Sequence, residues 1–218
     1  YTFHGCSSLI QISIPASVTS IGDYTFYGCS SLIQISIPSS VTSIGECSFC
    51  KCISLTELLI PSSVTDIGNN AFNNCISLNQ ITIPSSTKFS GENIFNGVKT
   101  IKIIGDIKCI FRNLFCNSAS LVQISIPSSV KSIDDKAFYD CKSLTTIEFE
   151  SPSSLTIIGN FAFNKCVSLK QISIPSSVKS IGSFAFYHCT SLIEIVFEHP
   201  SSLTTIGDSA FSNCISIE

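Results

Sequence analysis

Methionine and tryptophan are absent from this 218-residue sequence, and charged residues make up only 12% of it. Soluble domains carry about 25% charged residues. The formal net charge is only −3, and the basic residues do not gather at one place, so we expect no nucleic acid or anionic membrane surface as partner. Apolar residues reach 44%, but no uninterrupted apolar run approaches the ~18 residues that a membrane span needs. We therefore expect no membrane span in this chain.

The motifs of common catalytic sites are also missing. The sequence holds no G-x-S-x-G, no phosphate-binding glycine loop and no H-E-x-x-H. Cys47-x-x-Cys50-x-Cys52 resembles part of a zinc site, but no fourth ligand follows at zinc-like spacing, and the three histidines lie far from it. We therefore expect no enzyme, no cofactor and no metal.

Both ends of the sequence lack features that a complete chain would have. The first residue is Tyr1 rather than Met, no signal peptide is present, and no N-x-[ST] glycosylation acceptor occurs. Neither end carries the polar cap that a repeat array needs. We interpret the sequence as a piece of a longer array, with any signal or anchor outside it.

What the sequence does contain is one phrase repeated along its whole length. Its most regular marker is a phenylalanine, and the successive markers are Phe3, Phe26, Phe49, Phe72, Phe95, Phe115, Phe138, Phe163, Phe186 and Phe211. The step is 23 residues four times, and then 20, 23, 25, 23 and 25. A faithful repeat of this length indicates stacked coils, each of which buries its apolar face against its neighbours.

Within each unit the apolar spacing predicts a short strand and a return path. In the second unit Leu32, Ile35 and Ile37 alternate with polar residues, which indicates a half-buried strand. Pro38 ends that strand because it has no N–H for a ladder. Val41 and Ile44 then turn back into the core, and Gly45 is predicted to permit a bend. The sequence thus predicts a β-rich solenoid of nine to ten coils over 1–218. It also predicts that these coils form a single domain with one continuous parallel sheet. The outer turns are predicted to be short, and some of them 3₁₀ or helical.

The unit resembles the leucine-rich repeats, with three departures. Proline follows the strand, Ser40 stands at the usual Asn or Cys position, and Val41 comes one residue early. With A/T-F-x-x-C before the leucine, these departures resemble the BspA-like class, the treponemal-type 23-residue repeat. The resemblance implies a surface or secreted adhesin-like protein of bacteria or protist parasites that binds host proteins.

One segment breaks the repeat. Thr87 and Ser90 stand where Val and Ile are expected in the return strand, three residues are missing after Phe95, and Ile104–Ile107 replaces Pro-Ser-Ser-Val. We predict that the irregular repeats at 85–118 form the least stable part of the stack and set a local bend.

Eight of the twelve cysteines occupy one repeat position. They are Cys6, Cys29, Cys52, Cys75, Cys141, Cys166, Cys189 and Cys214. Stacked coils turn them into a column whose Cβ vectors run parallel, which does not suit a disulfide. We predict buried, reduced thiols, with a disulfide framework as the alternative.

The polar residues of the predicted strands form the candidate binding surface. The predicted binding residues are Gln11, Gln34, Glu57, Gln80, Gln123, Glu148, Gln171 and Glu194. A second outward column is predicted to hold Ser13, Ser36, Leu59, Thr82, Lys102, Ser125, Glu148, Ser173 and Val196. This face is either a solvated lattice of stacked Gln amides or the open surface on which solenoids bind partners. A second candidate surface is the outer turns, where Tyr27, Tyr139 and Tyr187 follow the phenylalanines.

Two functions remain open from the sequence. The first is a non-enzymatic protein-binding module at the cell surface or outside the cell, which rests on the resemblance. The second is an intracellular structural or scaffold repeat, which the many apparently free thiols favour because oxidising compartments tend to pair cysteines. Both have a protein partner of unknown identity.

Overall fold

The computed structural model describes residues 1–84, 86–89, 91 and 93–217, with only the backbone of Lys88 and Ile104. Within these residues every regular element is a short β-strand, and the strands are joined by turns. The chain divides into two compact units, Tyr1–Gly105 and Asp106–Glu218, here called unit 1 and unit 2.

Unit 1 is a β-solenoid with two rows of strands. The described sheet-face strands are β1 (Gln11–Ser13), β3 (Gln34–Ser36), β5 (Glu57–Leu59), β7 (Gln80–Thr82) and β9 (Thr100–Ile104). The described return strands are β2 (Ser20–Ile21), β4 (Ser43–Ile44), β6 (Asp66–Ile67) and β8 (Lys88–Phe89). The return strands pair in parallel in the order β2-β4-β6-β8.

Unit 2 has the same construction. Its described sheet-face strands are β11 (Gln123–Ile126), β13 (Thr146–Phe149), β15 (Gln171–Ile174) and β17 (Glu194–Phe197). Its described return strands are β10 (Cys109–Ile110), β12 (Ser132–Ile133), β14 (Ile157–Ile158), β16 (Ser180–Ile181) and β18 (Thr205–Ile206). These return strands pair in parallel in chain order.

The predicted parallel β-solenoid is confirmed in each unit, and the nine described sheet-face strands agree with nine to ten predicted coils. The outer connections are turns rather than helices in the described residues. The sheet face, however, is interrupted: β3 and β5 belong to different ladders, and so do β13 and β15. The return strands remain paired at both places. That all 218 residues form a single domain stays a prediction.

The core of each unit is built on its repeated phenylalanines. Phe26 and Phe49 stack with ring centroids 5.2 Å apart, and Phe138 and Phe163 stack at 5.0 Å. These side chains are at most 2% exposed. Fully burying a phenylalanine contributes about 1.5–3 kcal/mol, so the repeated ring is the largest apolar contribution of its coil.

Each repeated phenylalanine except Phe3 lies between two residues of left-handed backbone conformation. Phe72, for example, is flanked by Asn70 at φ 53° and Asn74 at φ 59°. The residues two before the phenylalanine are Tyr24, Cys47, Asn70, Asn93, Asn113, Lys136, Phe161, Phe184 and Ser209. The residues two after it are Gly5, Gly28, Lys51, Asn74, Gly97, Asn117, Asp140, Lys165, His188 and Asn213. The phenylalanine between these two positions points into the core. The left-handed conformation could not be predicted from the sequence, because only some of the residues at these positions are Gly or Asn.

In the second coil the proline that follows the strand opens a tight turn. The N–H of Val41 donates to the Pro38 carbonyl at 3.0 Å, which is the i to i+3 bond of a β-turn. In the same turn the Ser40 hydroxyl donates to the Val18 carbonyl of the preceding coil at 2.6 Å. Proline therefore ends the strand as predicted, and serine at the Asn or Cys position joins neighbouring coils.

The repeated glycine is required by close approach of the coils rather than by a bend. At Gly182 an added Cβ would lie 2.6 Å from the backbone of Gly159 and of Asn160 in the preceding coil. Its φ does not lie in the left-handed region. The interpretation of Gly45 as a bend-permitting residue is therefore corrected: its Cβ would lie 2.8 Å from the Gly22 carbonyl carbon.

The in-register cysteines act as hydrogen-bond donors between coils. All of them except Cys6 donate to the carbonyl of the preceding coil's phenylalanine at 3.0–3.2 Å, and the seven pairs are Cys29 to Phe3, Cys52 to Phe26, Cys75 to Phe49, Cys141 to Phe115, Cys166 to Phe138, Cys189 to Phe163 and Cys214 to Phe186. All twelve cysteines are free thiols. Six of the eight in-register cysteines are buried as predicted, whereas Cys6 is exposed and Cys214 half-buried.

Burial makes these thiols poor nucleophiles. It raises the pKa of Cys52 to about 12 and that of Cys75 well above its usual value. At pH 8 we expect an aromatic disulfide reagent to titrate exposed Cys6 promptly and the buried thiols hardly at all, since the thiolate is the reacting species. Unfolding in guanidinium without reductant should release all twelve thiols. A denatured count below twelve would instead demonstrate disulfides.

The irregular segment keeps an apolar residue in its return strand. β8 pairs with β6 so that Phe89 lies opposite Ile67. A polar residue was expected at the return-strand position that Ile67 holds in the preceding coil, and this expectation is wrong. The segment from the proline to the return strand is one residue shorter in this coil, so Phe89 takes the position. Thr87 is buried, and its hydroxyl donates to the Val64 carbonyl at 3.1 Å. Ser90 lies outside the described residues, and the low stability and bend of 85–118 stay predictions.

Candidate functional site

The sheet face displays every residue of the sequence-derived set. The exposed members are Gln11, Gln34, Glu57, Glu148, Gln171 and Glu194, and the half-buried members are Gln80 and Gln123. They are displayed because successive strand residues point to opposite faces, and the alternating Ile35, Leu58 and Ile172 are buried. That these residues bind a partner stays a prediction.

Strand register brings part of the set into columns within each unit. In unit 1 Gln11 lies opposite Gln34, and Gln80 lies between Glu57 and Lys102. Lys102 was expected opposite Thr82, so its predicted column is wrong. Ile104 lies opposite Thr82 instead, because the path from the repeated phenylalanine to the strand is one residue shorter in this coil and not three.

In unit 2 the set occupies both outward columns. Gln171 lies opposite Glu194, whereas Glu148 lies opposite Ser125 in the second column. The Gln123 amide donates to the Glu148 carboxylate at 2.8 Å. Among the described residues no bond joins two Gln side chains, so Gln–Glu contact replaces the expected Gln ladder.

The first interruption of the sheet carries a groove, which we call the β3–β5 groove. The bond from the Thr56 N–H to the Ile33 carbonyl is 3.4 Å long, compared with 3.0 Å for its equivalent between Asn79 and Thr56. The groove has a volume of about 260 Å³ and is lined by Gln34, Ile35, Ser36, Glu57, Leu58, Leu59, Gln80 and Thr82. Three predicted residues therefore share one concave site.

The second interruption carries a larger groove, the β13–β15 groove. No backbone bond of the kind that joins Thr145 to Val122 links β13 to β15 in the described residues. The groove has a volume of about 550 Å³ and is lined by Thr145, Thr146, Ile147, Glu148, Lys170, Gln171 and Ser173. Glu148 and Gln171 are thus brought together, with Lys170 as a residue that sequence reasoning missed.

Two exposed aliphatic side chains accompany the acidic residues. Leu59 is 64% exposed two residues after Glu57, and Val196 is 41% exposed two residues after Glu194. Neither Glu57 nor Glu194 has a side-chain hydrogen bond or ion pair within the described part of the chain. These two aliphatic residues could be identified from the sequence, because Leu59 and Val196 interrupt an outward column that is otherwise rich in Ser and Thr.

The outer turns hold the second candidate surface. In unit 1 the rings of His4 and Tyr27 stack at 4.9 Å, and the Lys51 ammonium lies 5.1 Å from the Tyr27 ring centroid. In unit 2 the Lys165 ammonium lies 5.6 Å from the Tyr139 ring centroid. Tyr27, Tyr139 and Tyr187 are all half-buried, so each exposes part of its ring.

Neither a cluster of metal ligands nor a membrane-spanning helix is found among the described residues. Of the residues described, no three or more His, Cys, Asp or Glu gather as metal ligands would. No helix in the described part of the chain is both long and apolar enough to cross a membrane.

The chain matches a known repeat family along its whole length. The family described as BspA type leucine rich repeat region matches in six copies, over residues 1–119 and 108–218. No curated protein is detectably similar in sequence.

Solved bacterial structures share the repeat. A leucine rich cell surface protein from Faecalibacterium prausnitzii A2-165 is 34% identical, with 99% of this chain and 60% of that chain covered and a TM-score of 0.53. A leucine-rich repeat protein from Bacteroides ovatus ATCC 8483 is 28% identical over 99% of this chain and 79% of that chain, with a TM-score of 0.41. The leucine rich repeat protein of T. pallidum is 25% identical over 96% and 78%, with a TM-score of 0.44.

Proposed function

Because the chain belongs to the BspA-type leucine-rich repeat family, we propose that it is a non-enzymatic protein-binding module of a surface protein. It binds its partner through the sheet faces of its two units. The family includes bacterial proteins of surface type, and one similar structure is described as a cell surface protein. Both grooves of the sheet faces are too open and too poor in convergent titratable groups for a catalytic site.

The observation that carries this proposal is the exposed pair of Glu57 and Leu59 in the β3–β5 groove. An unpaired carboxylate favours a basic group on the partner. Burial of the aliphatic side chain beside it would stabilise the complex, because apolar surface is removed from water. A bound side chain that joins an apolar stem to a positive head, as Lys and Arg do, satisfies both.

In unit 2 the same chemistry recurs at two points. Glu194 stands beside the exposed Val196, and Glu148 lines the β13–β15 groove. The Gln123 amide holds Glu148 in place, which lowers the entropy that the side chain loses on binding. The partner is therefore a protein surface rich in Lys or Arg interspersed with aliphatic residues.

The triple variant E57Q/E148Q/E194Q tests the proposal. We expect it to bind a fluorescein-labelled peptide rich in Lys and Leu about tenfold more weakly than the unaltered chain, because exposed charge pairs contribute about 0.2–1 kcal/mol each. The remaining binding should lose most of its dependence on salt. Fluorescence anisotropy at low and high salt measures both effects.

Matched controls remove carboxylates elsewhere. Asp66 and Asp208 are exposed off the sheet face, one in each unit, and D66N and D208N should leave the affinity unchanged. All these variants should melt near the temperature of the unaltered chain, since solvent-facing substitutions usually change stability by about 0.5 kcal/mol or less. Full affinity in the triple variant would remove the sheet face as the site.

A second function is favoured by the thiol column. Twelve free cysteines suit a reducing compartment, as expected of an intracellular scaffold repeat. Fractionation of source cells with an antibody against this chain distinguishes the two functions. Recovery in the cytosolic fraction, with intact cells unstained, would replace the surface module by the scaffold.

A further inference from the structure

Two phenylalanines on the outer turns of unit 2 lie where the backbone disfavours them. Phe161 and Phe184 have φ of 56° and 57° and are half-buried. The same repeat position is filled by Asn70, Asn93 and Asn113 in other coils. Asparagine tolerates the left-handed conformation well, whereas a bulky residue there is an outlier.

Stability of the core does not explain these two side chains. The core position of the same coils is already filled by Phe163 and Phe186, whose side chains are fully buried. Phe161 and Phe184 instead stack on each other at the surface, with ring centroids 5.1 Å apart and planes 6° apart. The fold requires the left-handed conformation at this position, but it does not require a phenylalanine there. Residues held in an unfavourable conformation are found preferentially at functional sites.

Two tyrosines and two lysines extend this pair into a ladder. The Tyr187 ring meets Phe184 edge-on at 5.6 Å. The Lys136 ammonium lies 5.9 Å from the Phe161 centroid and 6.0 Å from that of Tyr139, and Lys165 approaches the same tyrosine at 5.6 Å. Contacts of this kind hold ammonium groups beside the rings.

The lysines of the ladder have no carboxylate partner in the described part of unit 2. Two acidic residues that neighbour the ladder in sequence make other contacts: Asp140 pairs with Lys142 at 3.4 Å, and Asp135 accepts the Asn160 N–H at 2.7 Å. The ammonium groups of Lys136 and Lys165 are therefore not paired with a carboxylate in the described residues and are available to an anionic partner.

The orientation of the rings selects the class of partner. Phe161 and Phe184 each cover one face of the other, and both rings are half-buried. The edges of the stacked pair carry the positive end of the aromatic quadrupole. Carboxylate and carbonyl oxygens suit such edges. Carbohydrates, by contrast, stack on open ring faces, and here one face of each ring is covered by the other ring.

We propose that the ladder of Lys136, Tyr139, Phe161, Lys165, Phe184 and Tyr187 is a docking surface for an acidic polypeptide segment that also carries apolar side chains. The surface is separate from the sheet faces, and it takes a partner of the opposite charge.

The test uses the chain 1–218 and a short fluorescein-labelled peptide rich in Glu and Leu. We expect F161N/F184N to weaken binding by about tenfold or more, as loss of buried aromatic anchors does. The same variant should melt at an equal or higher temperature, since Asn relieves the backbone. K136Q/K165Q should also weaken binding and reduce its salt dependence, which keeps the test informative if the first variant folds poorly.

The matched control is K102Q/K170Q, which removes two lysines from the sheet faces and should leave acidic-peptide binding unchanged. E57Q/E148Q/E194Q should likewise leave acidic-peptide binding unchanged, so the proposals for the two surfaces are tested independently. Absence of peptide binding to the unaltered chain, or equal binding by F161N/F184N, would overturn the proposal. Binding of a sulfated oligosaccharide in place of the peptide would overturn the assignment to a polypeptide.

Discussion

Replacing Phe163 with alanine is expected to lower the free energy of unfolding by about 3–5 kcal/mol. Its ring is fully buried and stacks on Phe138 at 5.0 Å and on Phe186 at 5.1 Å. Removal leaves a cavity that faces both neighbouring coils, and a regular backbone held by inter-coil bonds collapses poorly into it. Urea titration followed by circular dichroism measures the change through the shift in midpoint.

Phe161 provides the matched control, two residues earlier in the same coil. It is half-buried and makes its ring contact at the surface with Phe184, so F161A should change stability by about 1 kcal/mol or less. Equal losses for F163A and F161A would contradict the assignment of one ring to the core and the other to the surface.

The second large effect is expected at a glycine. Gly182 has no left-handed φ, so alanine suits its backbone conformation. Its Cβ, however, would lie 2.6 Å from backbone atoms of Gly159 and Asn160, which cannot move aside as a side chain does. We expect G182A to destabilise unit 2 by about 1–3 kcal/mol, as measured by urea titration.

Gly22 occupies the same repeat position in the first coil, where the nearest atom to an added Cβ is the Thr25 hydroxyl at 3.7 Å. G22A should be neutral or stabilising by up to about 1 kcal/mol, since it restricts the unfolded chain. If G22A and G182A are equally harmful, close approach of the coils is not the reason for the glycine column.

The sequence predicted the architecture because spacing alone determines it. Leu32, Ile35 and Ile37 alternate in a strand that Pro38 must end, and a 23-residue step brings equivalent residues of successive coils together. The fold and the outward orientation of Glu57 follow directly from that pattern.

Features that depend on the distance between neighbouring coils could not be predicted from the sequence. Spacing shows that Cys52 points inward, but not that its thiol reaches the Phe26 carbonyl at 3.2 Å. It also does not show that the ladder opens between β3 and β5. The predicted register of Lys102 is wrong because the sequence pattern indicates three missing residues after Phe95, whereas the pairing of Lys102 with Gln80 shows a shortening of one residue.

The outer-turn ladder was only half anticipated. Tyr139 and Tyr187 stood out because they follow the repeated phenylalanines. Phe161 could not be identified from the sequence. Its unusual feature is a positive φ, and a phenylalanine in a sequence does not indicate a positive φ.

The two left-handed positions around each phenylalanine set a rule for anyone who would lengthen this array with consensus units. None of the nineteen residues at these positions is Val, Ile or Thr, the residues that strand propensity alone would recommend for a β protein. A side chain branched at Cβ is poorly tolerated at positive φ. A consensus unit chosen by β-propensity would therefore fail at two sites per coil, whereas Asn or Gly at both would give modules that can be joined in any number.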